Sequence, residues 1–133
     1  MHQDIAARMN SVQKAIDLAS LKATNPNGSV TLIAVSKLQS QATIEEAYDL
    51  GLRHFGENYA QELAQKAAAC PQDIVWHFIG PIQTNKLKLI AEKASWVHSV
   101  DRIKVAKKLD EACKDLNKTI SILIQVNIDN ESS

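Results

Sequence analysis

Five short, mostly apolar runs recur along this chain at nearly even intervals, and that rhythm limits the fold more than any single residue does. They begin near Val30, Arg53, Ile74, Trp96 and Thr119, about 22 residues apart, the length of one strand, one helix and two short loops. Stripes of apolar residues at three- and four-residue spacing fill the intervals: Ile44, Ala47 and Leu50; Tyr59, Leu63 and Ala67; Leu87, Ile90, Ala91 and Ala94; Ile103, Ala106, Leu109, Cys113 and Leu116. Strands of period two alternating with helices of period 3.6 mark successive βα units in a parallel sheet. Ahead of them, Ile5, Met9, Val12, Ile16 and Ala19 line one face of a helix over roughly residues 3 to 22, and Asn25-Pro26-Asn27-Gly28 is a cluster of turn formers that ends it. Residues 1–28 are thus read as an N-terminal helix and turn, and 29–133 as five βα units of a single domain.

The first run, Val30 to Lys37, is nearly continuous and β-branched, which predicts a strand covered on both faces. It ends in one lysine. Parallel α/β folds place their chemistry at the carboxyl ends of strands. An amine held there beside apolar walls loses hydration, which disfavours its charged form, and a neutral amine attacks aldehydes. Lys37 is therefore a candidate Schiff-base lysine, set against the plainer reading of a side chain that reaches for solvent.

Two architectures accommodate five alternating units. An open doubly wound sheet calls for a glycine-rich phosphate loop after its first strand, but that turn reads Ser36-Lys37-Leu38-Gln39-Ser40. A (β/α)8 barrel needs eight units and roughly 250 residues. Because the last strand is followed only by Asp129 to Ser133 and would leave a bare edge, the 133 residues are read as the first five strands of a barrel. Ser40, or Thr43 with Glu46 three residues on as a capping box, is expected to cap the helix after the first strand, Gly51 to end it, and Gly56-Glu57-Asn58 to close the short strand Arg53-His54-Phe55.

Composition narrows the partners. Lysine plus arginine equals aspartate plus glutamate at 15 each, so no electrostatic argument favours nucleic acid or an anionic membrane. No apolar segment is long enough to span a bilayer or serve as a secretion signal. Cys70 and Cys113 have neither metal-ligand nor redox spacing and are read as buried thiols, as suits a reducing cytoplasm.

If the strands are parallel, one rim gathers Ser36 and Lys37, Glu57 and Asn58, Gln83, Asn85 and Lys86, Ser99 and Asp101, and Gln125 and Asn127. Such a set suits a small polar molecule, although Ser99 or Asp101 could equally cap a helix. His54, His77 and His98 lie on three different strands with no carboxylates to complete a ligand set, so hydrogen-bonded histidines are the simpler reading than a metal centre. No serine–histidine–aspartate arrangement and no carboxylate pair suggests hydrolytic catalysis.

Several stretches are familiar together: Ala34-Val35-Ser36-Lys37, Phe55-Gly56-Glu57-Asn58-Tyr59 with Gln61-Glu62, Trp76 through Lys86, His98-Ser99-Val100-Asp101-Arg102, and Gln125-Val126-Asn127-Ile128. In order and spacing they resemble the pyridoxal phosphate homeostasis proteins, also called proline synthetase co-transcribed homologues. The resemblance implies an alanine racemase N-terminal-like barrel of fold type III that holds pyridoxal 5'-phosphate as a Schiff base on Lys37, in a protein that serves intracellular vitamin B6 balance without an established reaction. It implies Asn58, Gln83, Asn85, Ser99 and Asn127 as further cofactor-binding positions. Leu38-Gln39-Ser40-Gln41 departs from the family, which often carries a proline nearby. Family chains also continue through three further strands that supply the phosphate cup, so this chain is expected to bind the cofactor weakly or not at all, and to pair its open strand edges with another copy as a homodimer. The competing readings are a fold type III enzyme such as an amino-acid racemase, an aldolase-type barrel using Lys37, and an inactive half-barrel.

Overall fold

A computed structural model describes residues 4–24 and 30–129. The expected turn at Asn25 to Gly28 and the final residues from Asn130 lie outside them. The described residues form α1 (Ile5–Lys22), β1 (Ala34–Val35), α2 (Gln41–Asp49), β2 (His54–Glu57), α3 (Ala60–Ala69), β3 (Val75–Phe78), α4 (Leu87–Lys93), β4 (Trp96–Val100), α5 (Ile103–Asp115) and β5 (Ser121–Ile124), with a 3-10 turn at Thr84–Lys86. All five strands pair in parallel, in the order β1-β2-β3-β4-β5. Chain order equals spatial order, as in the growing wall of a barrel, so every turn that follows a strand lies on one rim.

The register separates the two faces of the sheet. Phe55 pairs with Ala34 and Trp76, Glu57 with Phe78, and Phe78 with Val97. Phe55, Trp76, Phe78 and Val97 are buried in one cluster with Ile44 of α2, Leu63 of α3, Ile90 of α4 and Leu109 of α5, so this face carries the helices. The alternate residues, Val35, Gly56, His77 and Trp96, share the other face. Local chemistry fixes the element ends. Ser40 is the N-cap of α2 and accepts from the Thr43 amide, whereas the capping box at Thr43 does not form. Gly51, at φ +109°, turns the chain out of that helix in a conformation that L side chains rarely adopt. Lys118 donates to the carbonyls of Ala91, Glu92 and Ala94 and so satisfies the end of α4.

Four expectations are corrected. The first apolar run is not covered on both faces: Val35 is 53% exposed, because β1 is an edge strand and pairs only with β2 among the described residues. Gly56 and Glu57 belong to β2 instead of closing it; Gly56 pairs with His77 and Glu57 with Phe78. Tyr59 is the exposed N-cap of α3 and not part of its buried stripe. In α5 the exposed Ile103 gives way to a buried row of Val105, Leu109 and Cys113, four residues apart. The thiols of Cys70 and Cys113 are free and buried, as expected, and burial pushes both up from their ordinary value.

Two glycines give contrasting tests. A Cβ at Gly80 would lie 2.2 Å from the Asn58 carbonyl oxygen, while one at Gly51 would meet nothing within 4 Å. Gly51→Ala is expected to cost about 1 kcal/mol, from backbone strain alone. Gly80→Ala should cost about 3 kcal/mol by forcing the two loops apart. Urea unfolding midpoints of the two variants check the order.

Candidate functional site

Lys37 follows β1 after one residue, Ser36, and is exposed. The apolar walls expected around it are not there; the edge position of β1 leaves it open. Its backbone, by contrast, is tightly held. Ser36 continues the pairing with β2, its amide donating to the Gly56 carbonyl at 2.9 Å, and the Gln39 amide donates back to the Ser36 carbonyl at 3.0 Å. Lys37 therefore occupies the first central position of a four-residue turn. Leu38, the second, has φ 61°, a conformation that favours glycine there.

Beneath this turn lies a polar network. Glu57 is fully buried, and Lys66 of α3 is 8% exposed. Lys66 Nζ donates to the Ser36 carbonyl at 2.6 Å, to Glu57 Oε2 at 2.9 Å and to Glu62 at 2.6 Å. The Ser36 hydroxyl donates to Glu57 Oε2 in a short hydrogen bond, and the Leu38 amide donates to Glu62 Oε2 at 2.7 Å. Burial pushes the Glu62 carboxyl up, but hydrogen bonds from Lys66 and the Leu38 amide outweigh it and hold the group below the ordinary glutamate value. Among the described residues, Glu57 Oε1 has no hydrogen-bond partner. The sequence reading placed Glu57 on the rim and missed Lys66 and its role; the i, i+4 pair Glu62 and Lys66 beside a strand ending in Glu57 was the available signal.

The remaining rim residues divide. Asn58, half-buried, and Gln83, exposed, line one pocket of about 200 Å³ with Tyr59, Gln61 and Lys86. Asn85 is exposed in the 3-10 turn. Ser99 is buried, and its hydroxyl donates to the Gly80 carbonyl at 2.5 Å, tying β4 to the loop after β3. Asn127 is exposed beyond β5. Lys37 does not line the pocket that holds Asn58 and Gln83. A second hollow, of about 820 Å³, lies among α1, α2 and β1 on the apolar side, reaching Ser36.

The three histidines come together on the face opposite the helices. His54 Nδ1 lies 2.9 Å from His77 Nε2, and His77 Nδ1 lies 2.9 Å from His98 Nε2; Trp96 stacks on His77 at 5.9 Å between centroids. Burial, then the charges of His98 and His54, pushes His77 down to about 4, and burial lowers His98 as well. A neutral His77 gives a proton to one neighbour and accepts from the other.

A parallel sheet with helices on one face and its loops gathered on one rim is a partial (β/α) barrel, and the comparisons identify its kind. The chain belongs to the alanine racemase N-terminal domain family, which matches residues 13–131. It is 43% identical over 130 residues to the pyridoxal phosphate homeostasis protein of Pseudomonas aeruginosa, covering 97% of this chain and 56% of that protein. The namesake protein of Escherichia coli K12 is 38% identical over 134 residues, covering 98% of this chain and 57% of that one. The chain thus spans a little over half the length of these relatives. PipY of Synechococcus elongatus PCC7942, solved with PLP bound, superposes with a TM-score of 0.75 at 41% identity, over 89% of this chain and 56% of that one. A protein of unknown function from Bifidobacterium adolescentis superposes at 0.85 with 29% identity, over all of this chain and 60% of its own. No helix of the described residues is long and apolar enough to cross a membrane.

The histidine row and the buried ion pair each predict a measurable effect. With a folded-state value near 4 against about 6.5 unfolded, His77 takes up protons only on unfolding in that interval. Its contribution is complete above pH 6.5 and is lost as pH falls toward 4, on the order of 3 kcal/mol. Urea midpoints between pH 7.5 and 4.5 should fall with pH, and His77→Gln should flatten the slope. Glu57→Ala, which takes a carboxylate from the buried Lys66, is expected to cost about 3 kcal/mol by the same measurement.

Proposed function

We propose that the chain binds pyridoxal 5'-phosphate through Lys37 and acts in cofactor homeostasis as a carrier, not as an enzyme. The observation that carries this reading is an exposed amine at the carboxyl end of β1, on a turn whose two flanking peptide groups are held from beneath by Lys66 and Glu62. The naming of the curated relatives and the PLP-bound state of PipY support the choice of ligand.

The rim residues have the chemistry such a group needs, with Lys37 outside the pocket that Asn58 and Gln83 line. Lys37 supplies a primary amine open to solvent, and Asn58, Gln83 and Asn85 supply amides able to donate to or accept from a polar ring substituent. The bound cofactor would supply an aldehyde, which is reactive toward amines. Lys37 would hold it through its amine, since an aldehyde condenses with a primary amine with loss of one water, and hydrolysis would return both partners unchanged. Reversible condensation of this kind stores and releases an aldehyde without net chemistry, which is what a carrier requires. Ser99 is the weakest member of the set, since its hydroxyl is committed to Gly80. The outer edges of β1 and β5, which no further strand pairs among the described residues, are also proposed to pair between copies.

Mixing the purified chain with pyridoxal 5'-phosphate should produce a new visible absorption band, and borohydride should fix the label on Lys37 by mass spectrometry. Lys37→Ala should lose both. A band that survives in Lys37→Ala, or turnover of D- or L-alanine by the wild-type chain, would overturn the respective half of the proposal. Sedimentation equilibrium should return twice the chain mass if the edges pair; a monomer at all concentrations would rule the pairing out.

A further inference from the structure

The network under the turn reaches the two peptide groups on either side of Lys37. Lys66 holds the Ser36 carbonyl, just before the lysine, at 2.6 Å; Glu62 holds the Leu38 amide, just after it, at 2.7 Å. Both side chains come from α3, four residues apart, and Lys66 and Glu62 are bonded to each other at 2.6 Å. Leu38 cannot hold its own conformation. Its side chain is 79% exposed, so no packing fixes it, and its φ of 61° is a strained state for a residue with a Cβ. Strain of that kind persists only where the surroundings over-determine it, and here the turn's own bond from the Gln39 amide to the Ser36 carbonyl is joined by the bond from the Leu38 amide to the Glu62 carboxylate.

We propose that Glu62 and Lys66 are positioning residues for Lys37: together they clamp the backbone on both sides of it and so fix where the amine stands on the rim. The inference rests on the reading of Lys37 as the cofactor-bearing amine and adds how the chain presents it. A lysine side chain is long and loses much rotamer freedom when it condenses with a ligand. Fixing its Cα in advance removes the part of that cost that belongs to the backbone, and leaves the side chain free to reach. The buried pair of Glu57 and Lys66 carries the clamp into the sheet, since Glu57 belongs to β2 and pairs with Phe78 of β3.

Three substitutions at Glu62 separate reach from charge. Glu62→Gln keeps the length and an acceptor oxygen, Glu62→Asp keeps the charge but is one methylene short of the Leu38 amide, and Glu62→Ala removes both. Each is read in the whole chain by two measurements: hydrogen exchange of the Leu38 amide by NMR, and the rate of pyridoxal 5'-phosphate labelling at Lys37 after borohydride trapping, as a ratio to labelling at the exposed Lys104. Glu62→Ala and Glu62→Asp are expected to speed Leu38 exchange and to lower the ratio about tenfold, with Glu62→Gln within about twofold of wild type. A merely structural role would change the thermal midpoint and leave the ratio where it was. A ratio unchanged in Glu62→Asp and Glu62→Ala overturns the inference, whether or not Leu38 exchange has risen. A wild-type ratio near one overturns the reading of Lys37 itself, and the inference with it; the two failures differ because only the second shows in the unsubstituted chain.

Discussion

An ammonium group under the sheet is the constraint to which much else in this molecule answers. Lys66 is almost fully buried, and removing such a charge from water costs several kcal/mol unless its protons all find acceptors. They do: one goes to a backbone carbonyl beyond β1, one to Glu57 on β2, and one to Glu62 on its own helix. Each acceptor belongs to a different part of the chain, so the charge is satisfied only when β1, β2 and α3 stand in one arrangement. Directional bonds thus do what the short β1 ladder cannot. That strand has two paired residues, and without the bonds from Ser36 to Gly56 and Glu57 its end would be free to fray. Glu57 Oε1, which has no partner among the described residues, offsets part of that gain, since a buried acceptor left bare costs about 1 to 3 kcal/mol.

The two faces of the sheet follow from the same alternation. On the helix side, apolar residues of β2, β3 and β4 meet four helices, and the burial of Phe55, Phe78 and Val97 is complete or nearly so. On the other side the strands present rings with nitrogen donors and acceptors. Three histidines on three parallel strands, each displaced by two residues along its strand from the one before, meet in a diagonal row; a slip by one residue would send His77 into the apolar layer and bring Trp76 or Phe78 out. The hydrogen bonds among the rings therefore help fix the register of the strands between which they run. Trp96 closes the row on one side, stacked on His77.

Much of this was legible in the sequence, and the parts that were not share a cause. The order and spacing of the strands, the parallel pairing, the shared rim and the position of Lys37 at the end of β1 all follow from local periodicity, which a single sequence carries. The exposure of Val35 was not legible, because an apolar run looks the same at a sheet edge as at its centre. Nor was the hydroxyl of Ser99, which reads as a rim donor until the loop at Gly80 folds back to take it. Lys66 is the clearest case. In the sequence it is a lysine near the end of an alanine-rich helix, a place where a solvated charge is ordinary. Only the packing of α3 across the end of β2 turns it inward, and packing between elements is what periodicity does not encode.

The contrast between the side chain of Lys37 and its backbone bears on what such a site can do. An enzyme that must orient a reacting bond gains from enclosing it, since water-free surroundings strengthen each electrostatic contact. A carrier has the opposite need: the ligand must come off as readily as it goes on, and an enclosed amine would slow both. Here the amine is open while the peptide groups beside it are held by bonds of 2.6 and 2.7 Å. On the proposed reading of Lys37, order is supplied where it would lower the entropy lost on condensation and withheld where it would trap the ligand. Leu38 shows that the conformation is enforced by its surroundings, because glycine would adopt it without cost and leucine does not. A turn that relied on glycine would reach the same shape but would also visit others; the carboxylate that holds Leu38 confines the chain to one.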